Sequence, residues 1–197
     1  MADEFLRTLM ALPGQHGEQV ANLATSLAQA GKVPAGQVMA LRRAAHLQEL
    51  AWQTDVCASL DGDRTGVPPI DGAKWILRHR PTMTLEAGLV ARSRFGALAA
   101  RRAGVYGEAF ESWAGADLAI YLLLADLAFD GEGRTQTPET ALGALAEAYA
   151  EKLGGGREEW VNHLRVELQE ALGQAPVRLR AAMERRQGGR DGVRGVG

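Results

Sequence analysis

The sequence holds one cysteine in 197 residues, Cys57, and so has no internal partner for a disulfide. That excludes a disulfide framework and fits a reducing cytoplasm. Neither sign of charge is in surplus, because 22 basic residues face 24 acidic ones and leave a formal charge of −2. Without a global field, nucleic acid and anionic membrane surfaces are not expected partners. Long apolar runs are missing too. The richest, "LAIYLLLADLAF", is too short to span a bilayer and contains Asp126. The opening "MADEFLRTLM" is acidic where a secretory signal would be basic and then apolar. No stretch alternates with period two, and no internal repeat stands out. GxGxxG, GxxxxGK[ST], GxSxG and zinc-spaced cysteine pairs are all absent. The expectation is a soluble cytoplasmic protein of all-α class.

Aromatic residues make up only 6%, while Ala, Leu, Arg and Glu dominate, as in helical proteins. In "HGEQVANLATSLAQA", Val20, Leu23, Ala24 and Leu27 recur at helical spacing, and Gly31 ends the run. Pro34 starts a second helix, whose stripe is Val38, Leu41, Ala45 and Leu50. "DGDRTGVPPIDG" reads as a loop throughout. Its start is like a calcium loop, but Gly72 stands where the bidentate Glu belongs. "KWILRHRP" predicts a short helix ended by Pro81. "TLEAGLVARSRFGALAARRAG" predicts one longer helix, capped by a Thr and stopped by Gly104.

The segment from 115 to 129 is apolar nearly all round, which predicts the central helix. Thr137, Pro138 and Glu139 form an N-cap, a first-turn proline and an acidic first turn for a helix reaching about Leu153. "REEWVNHLRVELQEAL" then carries Trp160, Leu164 and Leu168 on one stripe. The sum is a bundle of roughly seven to nine helices in one domain over residues 1–175. An Arg- and Gly-rich extension, 176–197, follows and is expected to be disordered after about residue 186.

The order of these helices and several short motifs resemble the HD-GYP branch of the HD metal-dependent phosphohydrolases, over roughly residues 15 to 170. Family members run His, three residues, Val, an apolar helix, a loop, and a second helix ending Ala-Ala-x-Leu-His-Asp-Ile-Gly-Lys. On that pattern His16 is the first family histidine and Ala44-Ala45 the alanine pair. The His-Asp doublet falls on Gln48-Glu49, and Leu50-Ala51-Trp52 replaces Ile-Gly-Lys. "WILRHRPTMTLEAGLVARSRFG" is similar to the stretch leading to the next metal histidine, near Arg92. In "LLLADLAFDGEGRTQTPETAL", Asp126 takes the family aspartate's place, Arg134 the arginine's, and Pro138 begins the closing helix. The paired histidines and the Gly-Tyr-Pro segment have no counterpart; "AGVYGEAFESW" fills that interval.

The resemblance implies a metal centre from which ligands have been removed. Two-metal phosphohydrolases hold their ions about 3.5–4 Å apart and clamp a hydroxide against phosphorus. His16, Glu49 and Asp126, with Gln48 as a neutral oxygen, cannot hold two ions. They could hold one Mg²⁺ or Mn²⁺ weakly. The principal expectation is therefore a catalytically degenerate HD-like domain with no cofactor and no catalytic residue. It would act in signalling or regulation through a protein or nucleotide ligand, with Arg92, Arg134 and Gln48 as candidate binding residues. Arg92 in place of a metal-binding histidine suggests a guanidinium standing where a cation stood. The alternative is a single-metal phosphohydrolase on His16, Glu49 and Asp126, which would show as these three side chains meeting around a wet cleft. An Arg among them, or an apolar plug from Trp52, favours the binding module. A third reading is a dimerisation domain using the helix around Trp160, marked by a large exposed apolar patch.

Plainer readings stand beside these. His16 could cap its helix. His46 could be a half-buried histidine beside Glu49, one turn on. Glu49 could pair with Arg43 or Arg92. Asp126 on an apolar helix must be paired, hydrogen-bonded or protonated. His79, His163 and Cys57 have no assigned role, and the C-terminal arginines lack the interleaved aromatics of a nucleic-acid surface.

Overall fold

A computed structural model describes residues 15–52, 60–111, 113–177 and 179. The expected disorder beyond residue 186, and Cys57, lie outside these residues. Among the described residues the secondary structure is helical, with a single isolated bridge between Phe129 and Thr135 and no strand. No helix there is long and apolar enough to cross a membrane.

The first two helices, α1 (Gln15–Ala30) and α2 (Ala35–Leu47), form a hairpin, and α2 tightens into a 3₁₀ turn over Gln48–Trp52. Their apolar stripes, Val20, Ala24 and Leu27 with Val38, Leu41 and Ala45, are buried as the spacing requires. Helix α3 runs Pro68–His79 and so begins inside the stretch expected to be a loop. Pro68 supplies a first-turn residue that needs no N–H partner. Asp71 then reaches back, accepting from the Thr65 N–H (2.7 Å), the Thr65 hydroxyl (2.7 Å) and the Gly66 N–H (3.0 Å). Gly66 holds a left-handed φ of 79° to present that amide.

The single helix expected over 84–103 is two: α4 (Thr84–Arg92) and α5 (Gly96–Arg102), separated by a 3₁₀ turn at Ser93–Phe95. Arg94 and Phe95 both lie in the left-handed region, at φ 48° and 61°. Two consecutive non-glycine residues there are costly, so surrounding contacts must enforce them. Gly96 permits the turn, because a Cβ at that position would collide with the Ala91 carbonyl. The Tyr149 hydroxyl clamps it, donating to the Arg94 carbonyl at 2.7 Å.

After the short α6 (Glu108–Glu111) comes α7, Ala119–Leu127, which packs on α1, α2, α4, the 93–95 turn and α8. It is the central element expected, although shorter than 115–129. Helix α8 (Pro138–Leu153) starts as predicted, with the Thr137 hydroxyl accepting from the Thr140 N–H at 3.2 Å. Helix α9 (Arg157–Gln174) turns Trp160, Leu164 and Leu168 inward. Trp160 is 1% exposed and stacks on Tyr149 with ring centroids 5.0 Å apart. Its stripe is consumed by packing, which removes the exposed patch that the dimerisation reading required. Val166 is the exposed large aliphatic residue on this helix.

Candidate functional site

The N-terminus of α1, the 3₁₀ turn after α2, the strained turn before α5 and the C-terminal end of α7 meet at one point. There His16, Glu49 and Asp126 bring one ligand atom each within 4.8 Å of one another. His16 Nε2 lies 3.1 Å from Asp126 Oδ1 and 3.3 Å from Glu49 Oε1. Its other ring nitrogen, Nδ1, donates to the Asp130 carbonyl at 2.6 Å and therefore carries a proton. Gln48, fully buried, donates from Nε2 to Asp126 Oδ1 at 2.8 Å, while its Oε1 has no partner.

The centre of this cluster holds a guanidinium. Arg94 Nη2 sits 2.7 Å from Glu49 Oε1, 3.0 Å from Asp126 Oδ1 and 3.2 Å from His16 Nε2. Arg94 Nε donates to Asp126 Oδ2 at 3.0 Å, which completes a two-pronged grip on that carboxylate. The guanidinium also lies over the Trp52 ring, 5.4 Å from its centroid. The left-handed backbone at 94 and 95 is what turns the side chain inward.

The charges settle accordingly. Burial alone would push the Asp126 carboxyl up. The Arg94 charge and the hydrogen bonds from His16 and Arg94 outweigh it and hold the carboxyl down at about 2. Burial pushes the His16 imidazole down, yet the Asp126 hydrogen bond and the charges of Asp126 and Glu49 raise it above 6.5. Arg94 is driven further from deprotonation by the same two carboxylates, against the effect of its burial.

Three ligand atoms at this spacing could surround one small cation. Arg94 Nη2, however, already occupies the position that such an ion would take, within hydrogen-bond reach of all three. A divalent ion and a guanidinium cannot share that volume; the two-pronged Asp126 grip holds the guanidinium, and Tyr149 holds the Arg94 backbone carbonyl. With Arg94 so placed, the three ligand atoms face a guanidinium, and Gln48 supplies an amide where the family pattern has an imidazole.

The other expected participants lie elsewhere. Arg92, expected beside the carboxylates, points the opposite way. It donates to the carbonyls of Gly88 (3.1 Å), Ala114 (3.3 Å) and Phe110 (3.2 Å) and lies over the Phe110 ring. Arg134 is exposed on the 130–136 loop, bound to Asp130 at 2.8 Å and Glu132 at 2.8 Å. His46 faces Glu18 of α1 at 3.6 Å rather than Glu49. Arg43 pairs with Glu86 (2.7 Å), which leaves Glu49 to Arg94. Sequence reasoning missed Arg94. The available signal was Gly96, a glycine isolated inside a helical pattern, which can mark a break.

The cluster forms the floor of a cleft of about 260 Å³. Trp52 walls one side, not as a plug but packed on Tyr149, with ring centroids 5.7 Å apart. Leu127, Phe129, Ala141, Leu145 and Ala148 give the rest of the lining an apolar part, and Asp130 and Gln136 give it a polar one. Comparison with family models, curated proteins and solved structures returns no match for this chain. The resemblance to HD-GYP domains rests on the motifs quoted above.

Proposed function

We propose that this chain is a catalytically degenerate HD-GYP-like domain that binds a ligand in a regulatory role and cuts nothing. The observation that carries the reading is Arg94 Nη2, held by Glu49 and Asp126 and 3.2 Å from His16 Nε2, at the point between the three ligand atoms. An HD phosphohydrolase needs its ion there to make hydroxide acidic and to clamp it. A guanidinium supplies charge but cannot deliver a bound hydroxide. The retained cleft, with an apolar wall and a charged floor, suits capture of a ligand.

The test is elemental mass spectrometry on protein purified without chelator and offered Mn²⁺, Mg²⁺ and Fe²⁺, beside a His16→Ala, Asp126→Ala double variant. The expected result is no stoichiometric metal in either protein and no turnover of bis-p-nitrophenyl phosphate. Near-stoichiometric metal in the parent, lost in the variant, would overturn the reading. The compact spacing of the three ligand atoms favours a single-metal phosphohydrolase as the reading that would then take its place.

A further inference from the structure

The floor of the cleft is charged, but its charges are already matched to one another. Arg94 donates through Nε and Nη2 only. Its Nη1 has no hydrogen bond among the described residues, and it is not one of the polar atoms sealed from solvent without a partner. The side chain keeps 16% exposure and lines the cleft. Nη1 thus offers a pair of unused N–H donors on a residue that lines the cleft, whose wall is apolar except at Asp130 and Gln136. A ligand that fills the pocket without accepting from them would strand a guanidinium nitrogen away from water. The ligand must bring an acceptor.

The same geometry sets the charge of that acceptor. Arg94 is bound by two carboxylates, Asp126 and Glu49, so the floor has no surplus positive charge even when His16 is protonated. A carboxylate or phosphate head would meet both acidic side chains at close range in a half-buried site. Repulsion from groups that already hold the receptor together is an effective means of rejecting a wrong ligand.

We infer that the cleft beneath Trp52 takes a small molecule with an uncharged carbonyl acceptor, an amide or ketone, on a short apolar chain. The carbonyl accepts from Arg94 Nη1, and the chain lies against Leu127, Phe129, Leu145 and Ala148. This rests on the reading of the domain as a non-catalytic binder and narrows it, since the phosphates of a nucleotide are disfavoured at this floor.

The test uses three heads on one chain length: hexanamide, hexanoate and hexyl phosphate, each titrated into isotope-labelled protein at neutral pH. The indole N–H of Trp52 and the methyls of Ala141 and Ala148 serve as reporters. Hexanamide should give saturable shifts at these sites, and the two anions should bind at least about tenfold more weakly. Ala148→Trp, which fills the cleft from its apolar wall, should abolish the shifts. Glu49→Gln removes one of the two repelling carboxylates and should bring hexanoate closer to hexanamide, a change that a merely structural role for Glu49 would not produce. Anions binding as tightly as the amide, no shift with any of the three, or hexanamide shifts that survive Ala148→Trp would each overturn the inference. Metal content measured on the same samples separates the two failures. Metal-free protein that ignores hexanamide sinks the ligand class alone, whereas bound metal sinks the underlying reading.

Discussion

Three carboxylates are buried among the described residues, Asp71, Glu86 and Asp126, and the first and last of them are held in opposite ways. Asp71, 1% exposed, takes its hydrogen bonds from Thr65 and Gly66, five or six residues away on the same loop. Asp126, 7% exposed, is held by His16, Gln48 and Arg94, from 32 to 110 positions distant. The first arrangement closes a helix start and asks nothing of the rest of the chain. The second gathers three other segments around one charge, and it has a cleft over it. A buried carboxylate satisfied locally is a device of folding. Distance alone does not mark a site, since the buried Glu86 is held by Arg43, 43 positions away, as a plain pair; Asp126 differs in gathering three distant side chains at the floor of a cleft.

The sharpest way to break this contrast is to remove the cation. Arg94→Met leaves Asp126 and Glu49 with only His16 to offset them, and breaking a buried ion pair by deleting one member costs about 3–5 kcal/mol. For a chain of this length that corresponds to a loss of about 10 °C in Tm, read by thermal denaturation. The same variant vacates the point between the three ligand atoms. Mn²⁺ should therefore raise its Tm while leaving the parent unchanged. A parent stabilised by Mn²⁺ to the same degree would mean that the guanidinium yields to an ion.

Acid should act on the distant carboxylate next. Asp126 stands at about 2 against an ordinary 3.8. Its depressed value contributes stability that is fully present above 3.8 and is lost as pH falls through 2. The size is about 2 kcal/mol, since each unit is worth about 1.4. His16 works in the other direction. Its value is raised above 6.5, so its contribution is complete below 6.5 and fades as pH rises through the folded-state value. Urea titrations across both windows check the signs. In Asp126→Asn the acid-side loss should shrink.

How much of this was legible follows the same division. Asp126 could be picked out because a charge inside "LAIYLLLADLAF" has no local means of satisfaction. His16, Gln48 and Glu49 came from motif order, and the structure brings all three to Asp126. Arg94 was hidden. The helical pattern continues through it with Gly96 as its one interruption, and the turn is clamped by Tyr149, 55 positions away. Arg92 satisfied the sequence argument equally well, and the structure puts Arg94 among the carboxylates while Arg92 donates to the carbonyls of Gly88, Phe110 and Ala114. The helix start at Pro68 was obscured for a related reason. Pro, Gly and Asp signal a turn locally, and the Asp71 capping contacts become visible only once the loop is folded.

The local carboxylate supplies a smaller effect. Asp71→Ala removes the acceptor for two backbone amides and a hydroxyl at the start of α3, a loss of about 1–2 kcal/mol by analogy with helix caps. Hydrogen exchange should show faster opening confined to the 65–76 region, with the amides of α7 unaffected. For Asp126→Ala the expectation is reversed, with protection lost together in α1, the 48–52 turn and α7. Equal spread for the two variants would abolish the distinction between a folding device and a site.

The smallest expected effect concerns Arg134, the residue that the family pattern placed in the site and the structure leaves in solvent. Its partners are Asp130 and Glu132 on its own loop, and exposed pairs of this kind contribute little. Arg134→Ala should leave Tm unchanged within error and leave hexanamide binding intact. Asp130 touches the site through its backbone carbonyl, which accepts from His16 Nδ1, and a side-chain change at Arg134 does not remove that acceptor. If Arg134→Ala instead weakened ligand binding while Tm held, the 130–136 loop would be closing over the cleft. The arginine would then belong to the binding surface after all, with its ion pairs to Asp130 and Glu132 describing only the open form.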